Sequence, residues 1–202
     1  MTPRSNDVVI VMPTMEPARA AATLAEARAS AGVRCAFVLV SDAERRGAVV
    51  AGNVAMRAAL DWGARFVCYL NDDVHGFPQG WLRRLIEALE MDDCYAVAAA
   101  GGNCRSQPQA GGRPGMAPAV VEVQQPLAWF CAVVRAEALE EVGLFDPAFI
   151  HYADESDWEM RSRQRGWRSV YVPDVYVVHE RGEPVEAWYR ADRARFRERW
   201  GR

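Results

Sequence analysis

Three short apolar runs constrain the fold of this chain more than any other feature. They are DVVIVMP (7–13), VRCAFVLVSD (33–42) and ARFVCYLNDD (64–73), and a fourth, CYAVAAAGG (94–102), follows. Each reads as a strand. Helix-forming stretches lie between them. Residues 16–32 carry Pro17 early and Gly32 as a stop, and residues 47–63 end on Gly63. Residues 80–93 put Trp81, Leu82, Leu85, Ile86 and Leu89 on one helical face. Strands that are apolar along their whole length, not alternating, belong to a parallel sheet covered on both faces. The expected class is therefore α/β. Ligands of such sheets bind beyond the carboxyl ends of the strands, which is where Asp42, Asp72 and Asp73 fall.

After residue 102 the pattern changes. Residues 103–118 are polar and rich in Gly and Pro, and read as a mobile loop. Strands are expected at 119–125 and 127–135, a short helix at 136–143, and a turn followed by a helix within 145–166. Residues 167–182 read as two short strands around Pro173-Asp174, with His179 after the second. A terminal helix covers 184–200.

Composition removes several chemistries. The 24 basic residues are all arginine, which excludes a catalytic lysine, a Schiff base and a P-loop lysine. Five cysteines, widely spaced and without a C-x-x-C pair, read as free thiols in a reducing compartment. The net charge of −3 argues against nucleic acid as the main partner. No run approaches the length of a membrane span, and the apolar stretch before Pro13 is too short for a signal peptide. The expected location is the cytoplasm. There is no dinucleotide fingerprint and no G-x-S-x-G.

Three constellations carry candidate chemistry. Asp72-Asp73 with Asp42 can serve a divalent cation and a nucleotide, since Mg²⁺ or Mn²⁺ takes one or two carboxylates plus phosphate oxygens; equally, an acidic pair after a strand is common turn chemistry. In HYADESDWEMR (151–161), a helix starting near Asp154 places Asp154, Asp157 and Arg161 on one face and Glu155 roughly 100° away. Acids in a first turn complement the helix dipole. Among Phe149, Ile150, Tyr152 and Trp158, however, a carboxyl can have a raised pKa and act as a general base, provided burial outweighs the dipole. His179 follows an apolar strand. A lone histidine is more often structural, but a neutral imidazole there would complete a metal shell begun by Asp73.

Taken together, VVIVMPT, VLVSD, GNVAMRAAL, YLNDD, VVRAEALEEVGLFDPAF, YADESDWEMR and VVHERG resemble, in order and over about residues 8–182, a family 2 glycosyltransferase of the GT-A fold. The resemblance implies a Rossmann-like, mostly parallel sheet flanked by helices, in one catalytic domain over 1–202. Residues 1–102 would be the nucleotide-binding half, 103–182 the acceptor half and 183–202 a C-terminal helix. It implies donor contacts at Pro13, Thr14, Glu16, Asp42, Asn53 and Asp72, and a Mn²⁺ or Mg²⁺ ion held by Asp73 and His179. It implies a catalytic base in Glu155, with Asp154 and Asp157 as competitors. Two positions depart from the family pattern: Asn71 stands at the first place of D-x-D, and Asp154-Glu155 inverts the usual acid order.

The implied activity is inverting transfer of a sugar from a nucleoside-diphosphate-sugar to an acceptor hydroxyl. The loop 103–118, Trp129, Phe130 and His151 are expected on the acceptor side. The acceptor stays open among a glycan, a lipid-linked sugar, a protein, a metabolite and modified DNA, and an oligomer is allowed. Alternatives are a nucleotidyltransferase and a non-catalytic nucleotide-sugar binding protein. The tail 186–202 places Trp188, Tyr189, Phe196 and Trp200 near one face among arginines. That suits either a lipid or partner contact, or docking on the domain with the arginines in water.

Overall fold

In the computed structural model, which describes residues 7–104, 108–180 and 182–201, the N-terminal half alternates strand and helix as its apolar runs demand. Strands β1 (Val8–Thr14), β2 (Ala36–Ser41) and β3 (Phe66–Leu70) are joined by α1 (Pro17–Ser30) and α2 (Ala48–Asp61). A short β4 (Val74–His75), α3 (Trp81–Leu89) and β5 (Tyr95–Gly102) follow. The second half holds β6 (Val121–Val123), β7 (Cys131–Arg135), α4 (Ala136–Val142), α5 (Asp154–Arg163), β8 (Arg168–His179) and α6 (Glu186–Trp200).

The strands form one sheet in the order β2-β1-β3-β7-β5-β8-β4, with β6 also on β8. β1 pairs in parallel with β2 and β3, and β5 in parallel with β8. β7 is antiparallel to both its neighbours, β3 and β5. Because side chains alternate along a strand, Val8, Ile10 and Met12 enter one core with Leu24, Trp81 and Leu85. Val9 and Val11 enter a second core with Val49, Met56, Trp129, Phe145 and Trp158. Both faces of the inner strands are covered, which is why they are apolar throughout, whereas the edge strand β2 leaves Phe37 and Leu39 exposed.

Two expectations need correction, and one strand was not expected. Residues 167–182 do not make two strands. β8 is one strand whose pairing with β5 slips between Val172 and Tyr176, so Pro173, which lacks an N–H, falls in the irregularity. Asp174 pins that bulge, accepting from Arg84 Nε at 2.9 Å and from the Ala119 amide at 2.9 Å. The short strand β4, too brief to leave a periodic signal, pairs antiparallel with the far end of β8. The segment read as a mobile loop is anchored: Gln109 is fully buried in a single 3-10 turn. Its side chain donates to the carbonyls of Ala100 and Ala128 and accepts from the Ala128 amide. Residues 105–107 of that loop, and the N-terminal residues 1–6 read for a leader, lie outside the described residues.

The terminal helix docks on the domain, with Asp192 and Phe196 buried. Among the described residues no helix is long and apolar enough to cross a membrane. All five cysteines are free thiols.

Candidate active site

The two adjacent carboxylates after β3 have separate partners. Asp72 is mostly buried. It accepts a hydrogen bond from Thr14 Oγ1 and one from Arg19 Nη2 at 2.8 Å, while its carbonyl accepts from Thr23 Oγ1 at 2.7 Å. It ties the end of β3 to β1 and α1. Asp73 turns to His179. Its Oδ1 is buried, with no hydrogen-bond partner among the described residues. Nε2 of His179 stands 3.1 Å away, without hydrogen-bond alignment.

The register of β4 on β8 produces this meeting. Val74 lies opposite His179, and the Glu180 amide donates to the Asp73 carbonyl at 2.8 Å. Asn103 then fixes the histidine's backbone, its side chain accepting from the His179 amide at 2.8 Å and donating to its carbonyl at 3.3 Å. Asn71 Nδ2 approaches Nε2 to 3.3 Å. The same ring nitrogen thus stands between the Asn71 amide and the Asp73 carboxylate. Asn103 carried no motif in the sequence.

A buried carboxylate oxygen with no hydrogen-bond partner among the described residues, 3.1 Å from an imidazole nitrogen, fits a cation. Among the described residues no group of three or more His, Cys, Asp or Glu side chains could hold a metal ion. Asp73 and His179 therefore suit an ion that takes its remaining ligands from a bound molecule's oxygens and from water.

His179 lines a cleft of about 230 Å³ together with Asn71, Phe130, Trp129, His151, Asp154 and Glu155. Tyr69 and Tyr152 also face it. Asp154 opens α5, preceded by Ala153 in the left-handed region at φ 60°. A non-glycine residue there is strained, and such strain gathers at functional sites. Burial raises the Asp154 pKa, opposed by a hydrogen bond with Glu155. Burial also pushes Glu155 well above the ordinary glutamate range, helped by the charge of Asp154 and by the shared hydrogen bond. Burial thus overrides the helix dipole. The two acids share a hydrogen bond, and both are displaced toward the protonated form. Tyr69 is pushed up by burial and then by the same two acids, so its hydroxyl stays protonated.

The remaining sequence-derived residues are placed as follows. Phe130 is 2% exposed and stacks on His179, with ring centroids 5.0 Å apart. Trp129 is 3% exposed, and its indole N–H donates to Glu159 at 2.9 Å. It packs edge-on to Trp158, so only a margin of the ring borders the cleft. Asp157 is fully buried and outside the cleft lining. Arg161 at 2.8 Å, Arg199 at 2.8 Å and the Trp200 indole at 3.0 Å all donate to it. Asp157 thus ties α5 to α6, apart from the cleft that Asp154 and Glu155 line.

Of the residues expected to contact a donor, Asp42 accepts through its carboxylate from the amides of Arg46 and Gly47. Asn53 donates to the Phe145 carbonyl at 2.9 Å and accepts from its amide at 3.0 Å. Glu16 is exposed and pairs with Arg19 at 3.4 Å. Pro13, at the end of β1, is partly exposed. Asp42, Asn53 and Asp72 thus use their polar atoms to build the local frame, and none of these residues borders the cleft.

No family model matches the chain. Over 61 residues it is 36% identical to the N-acetylglucosaminyl-diphospho-decaprenol L-rhamnosyltransferase of Mycobacterium tuberculosis, in each of two strains. That stretch is 29% of this chain and 20% of the relative, so the similarity spans about a fifth of the relative's length. Among solved structures, GalNAc-T7 with UDP, GalNAc and Mn²⁺ superposes with a TM-score of 0.59 at 12% identity. The match covers 85% of this chain and 43% of that one. With its mixed sheet flanked by helices and its cleft at the strand ends, the chain has the GT-A glycosyltransferase fold.

Proposed function

We propose that this protein is a metal-dependent, inverting glycosyltransferase of family 2. It would move a sugar from a nucleoside-diphosphate-sugar to an acceptor hydroxyl. The observation that carries the reading is the convergence on one cleft of His179, backed by the unpartnered Asp73 Oδ1, and the Asp154–Glu155 pair. A cation position and a proton acceptor side by side are what a metal-assisted transfer to a hydroxyl uses. The similarity to a rhamnosyltransferase and the fold shared with a protein that binds UDP and Mn²⁺ support the same reading.

Asp73 and His179 would hold Mn²⁺ or Mg²⁺, which when bound offsets the charge that builds on the departing diphosphate. Asn71, Asn103 and Phe130 keep the histidine lone pair on target. Glu155, once ionised, takes the proton of the acceptor hydroxyl. The acceptor oxygen forms its bond to the anomeric carbon as the bond to the diphosphate oxygen breaks, and that electron pair leaves with the nucleoside diphosphate. Attack comes from the side opposite the leaving group, so one displacement inverts the configuration. Asp154 tunes the base through the shared proton.

The test is a panel of UDP-, GDP- and dTDP-sugars, with and without Mn²⁺, scored for thermal stabilisation and nucleoside diphosphate release. A bound donor at 100 times its Kd adds about 2.7 kcal/mol to stability. We expect one nucleotide class to stabilise the protein only with the metal and to release nucleoside diphosphate. Release of pyrophosphate instead would assign a nucleotidyltransferase. Stabilisation without turnover under any acceptor condition would assign a binding protein.

A further inference from the structure

The acid wall of the cleft is held in place from the C-terminal helix. Asp192, in the middle of α6, is fully buried. Its Oδ2 accepts hydrogen bonds from the amides of Ile150 (3.1 Å), His151 (2.9 Å) and Tyr152 (2.9 Å), and its Oδ1 shares the Ile150 amide at 3.1 Å. Arg195, one turn along α6, stands 3.7 Å from Oδ1. Three consecutive amides gathered on one carboxylate require the chain to curl around it. The curl continues into Ala153 at φ 60°, and Asp154 and Glu155 come next. A second tie runs from the Val185 amide, just before α6, to Tyr152 Oη at 3.0 Å. The far end of α6 grips the next turn of α5, where Arg199 and Trp200 donate to Asp157.

Alternative explanations of Asp192 are weaker. A surface ion pair would leave it exposed, and it is not. A helix-capping role is excluded by its mid-helix position. A backbone in the left-handed region persists only where the surroundings over-determine it, and here the carboxylate is what over-determines it.

We propose that Asp192 is a positioning residue for the transfer step. It holds the segment from Ile150 to Ala153 in the curl that presents His151, Asp154 and Glu155 to the cleft, and so sets the reach between the base and the acceptor hydroxyl. The metal corner is built on other elements, β3, β4 and β8, and does not depend on it. This inference rests on the proposed glycosyltransferase reading.

The decisive variant is Asp192→Asn, whose single carbonyl oxygen cannot replace a charged acceptor of three amides. We expect the donor Kd, read by calorimetry with Mn²⁺, to stay within about twofold of wild type. Turnover per donor-binding site should fall about 10–100-fold, as expected for displaced catalytic geometry. Hydrogen exchange at the amides of residues 150–152 should rise. Asp92→Asn, which removes a carboxylate cap of the Cys94 amide at the start of β5, should leave turnover unchanged. If Asp192→Asn does not fold, Asp192→Glu keeps the charge, displaces the oxygens by one methylene, and is expected to show the same split. Normal turnover in a folded Asp192 variant overturns the proposal, as does a parallel loss of donor binding. If wild type transfers no sugar, the functional reading has failed instead, and the exchange measurement alone reports whether Asp192 fixes the loop.

Discussion

Phe130 lies nearly flat on His179, with ring planes 20° apart and centroids separated by 5.0 Å. The phenyl ring therefore sets the plane in which the imidazole presents Nε2 toward Asp73. Groups that orient a metal ligand typically account for 10–100-fold in metal affinity. Phe130→Leu keeps apolar volume but loses the flat surface. It should weaken Mn²⁺-dependent donor binding by about that factor, with little change in binding measured without metal. An unchanged Mn²⁺ dependence would show that the stack is only packing.

Asp73→Asn should abolish most of the metal dependence of donor binding. Because Asp73 and His179 would ligate one ion, the double variant Asp73→Asn/His179→Ala should lose little more than either single variant. Additive losses in calorimetry would place the two residues in separate functions.

Glu155→Gln should lower turnover by ~10²–10⁴ while donor binding survives. The same change should raise stability at neutral and higher pH. Glu155 in the folded protein has a pKa well above its ordinary value, first through burial. Between those two values the native state binds more protons than the unfolded chain, so its stability falls as pH rises through the folded pKa. Glutamine has no such loss. Melting temperatures of wild type and variant should coincide below the ordinary glutamate range and separate as pH rises through the raised folded pKa, with the variant higher. A variant that melts lower at every pH would contradict a Glu155 whose pKa is raised on folding.

Asp154→Asn should move the acid limb of the pH–rate profile downward. Burial is the first cause of the raised Glu155 pKa and remains, but the charge and hydrogen bond of Asp154 are removed. The limb should shift part of the way toward the ordinary glutamate range. A limb that stays in place would mean that another group controls the profile.

Asp157→Asn should be a stability variant. Breaking a buried charge pair costs ~3 kcal/mol, at the low end of the usual range because Arg199 is partly exposed. Its melting temperature should drop, while its turnover falls at least about tenfold less than in Glu155→Gln. Equal losses of turnover would return Asp157 to the chemistry.

The first three strands and the helices between them were legible because their signals are local. Val8 to Met12 are apolar at every position since both faces of β1 are covered, and Trp81 through Leu89 repeat at helical spacing. The grouping of Asp154 and Glu155 in a first helical turn was legible for the same reason. β4 was not, since two residues carry no period. The bulge in β8 was not either, because Pro173-Asp174 signals a break equally well as a turn between two strands. Gln109 is buried by tertiary hydrogen bonds that nothing in its Gly- and Pro-rich neighbourhood announces.

What the sequence determined by itself was the alternation of apolar strands and helices, and with it a sheet whose strand ends carry acids. What only tertiary structure decided was the partner each acid meets. Asp72 and Asp73 are neighbours in the chain, yet one ties β3 to α1 and the other meets a histidine. Asn71 and that histidine are 108 residues apart. The antiparallel register of β4 on β8 brings them together, and Asp192 reaches back about 40 residues to shape the loop before Glu155. Periodicity reports the surroundings of one element. Register and docking depend on pairs of elements distant in sequence, and those pairings form only when the whole core closes.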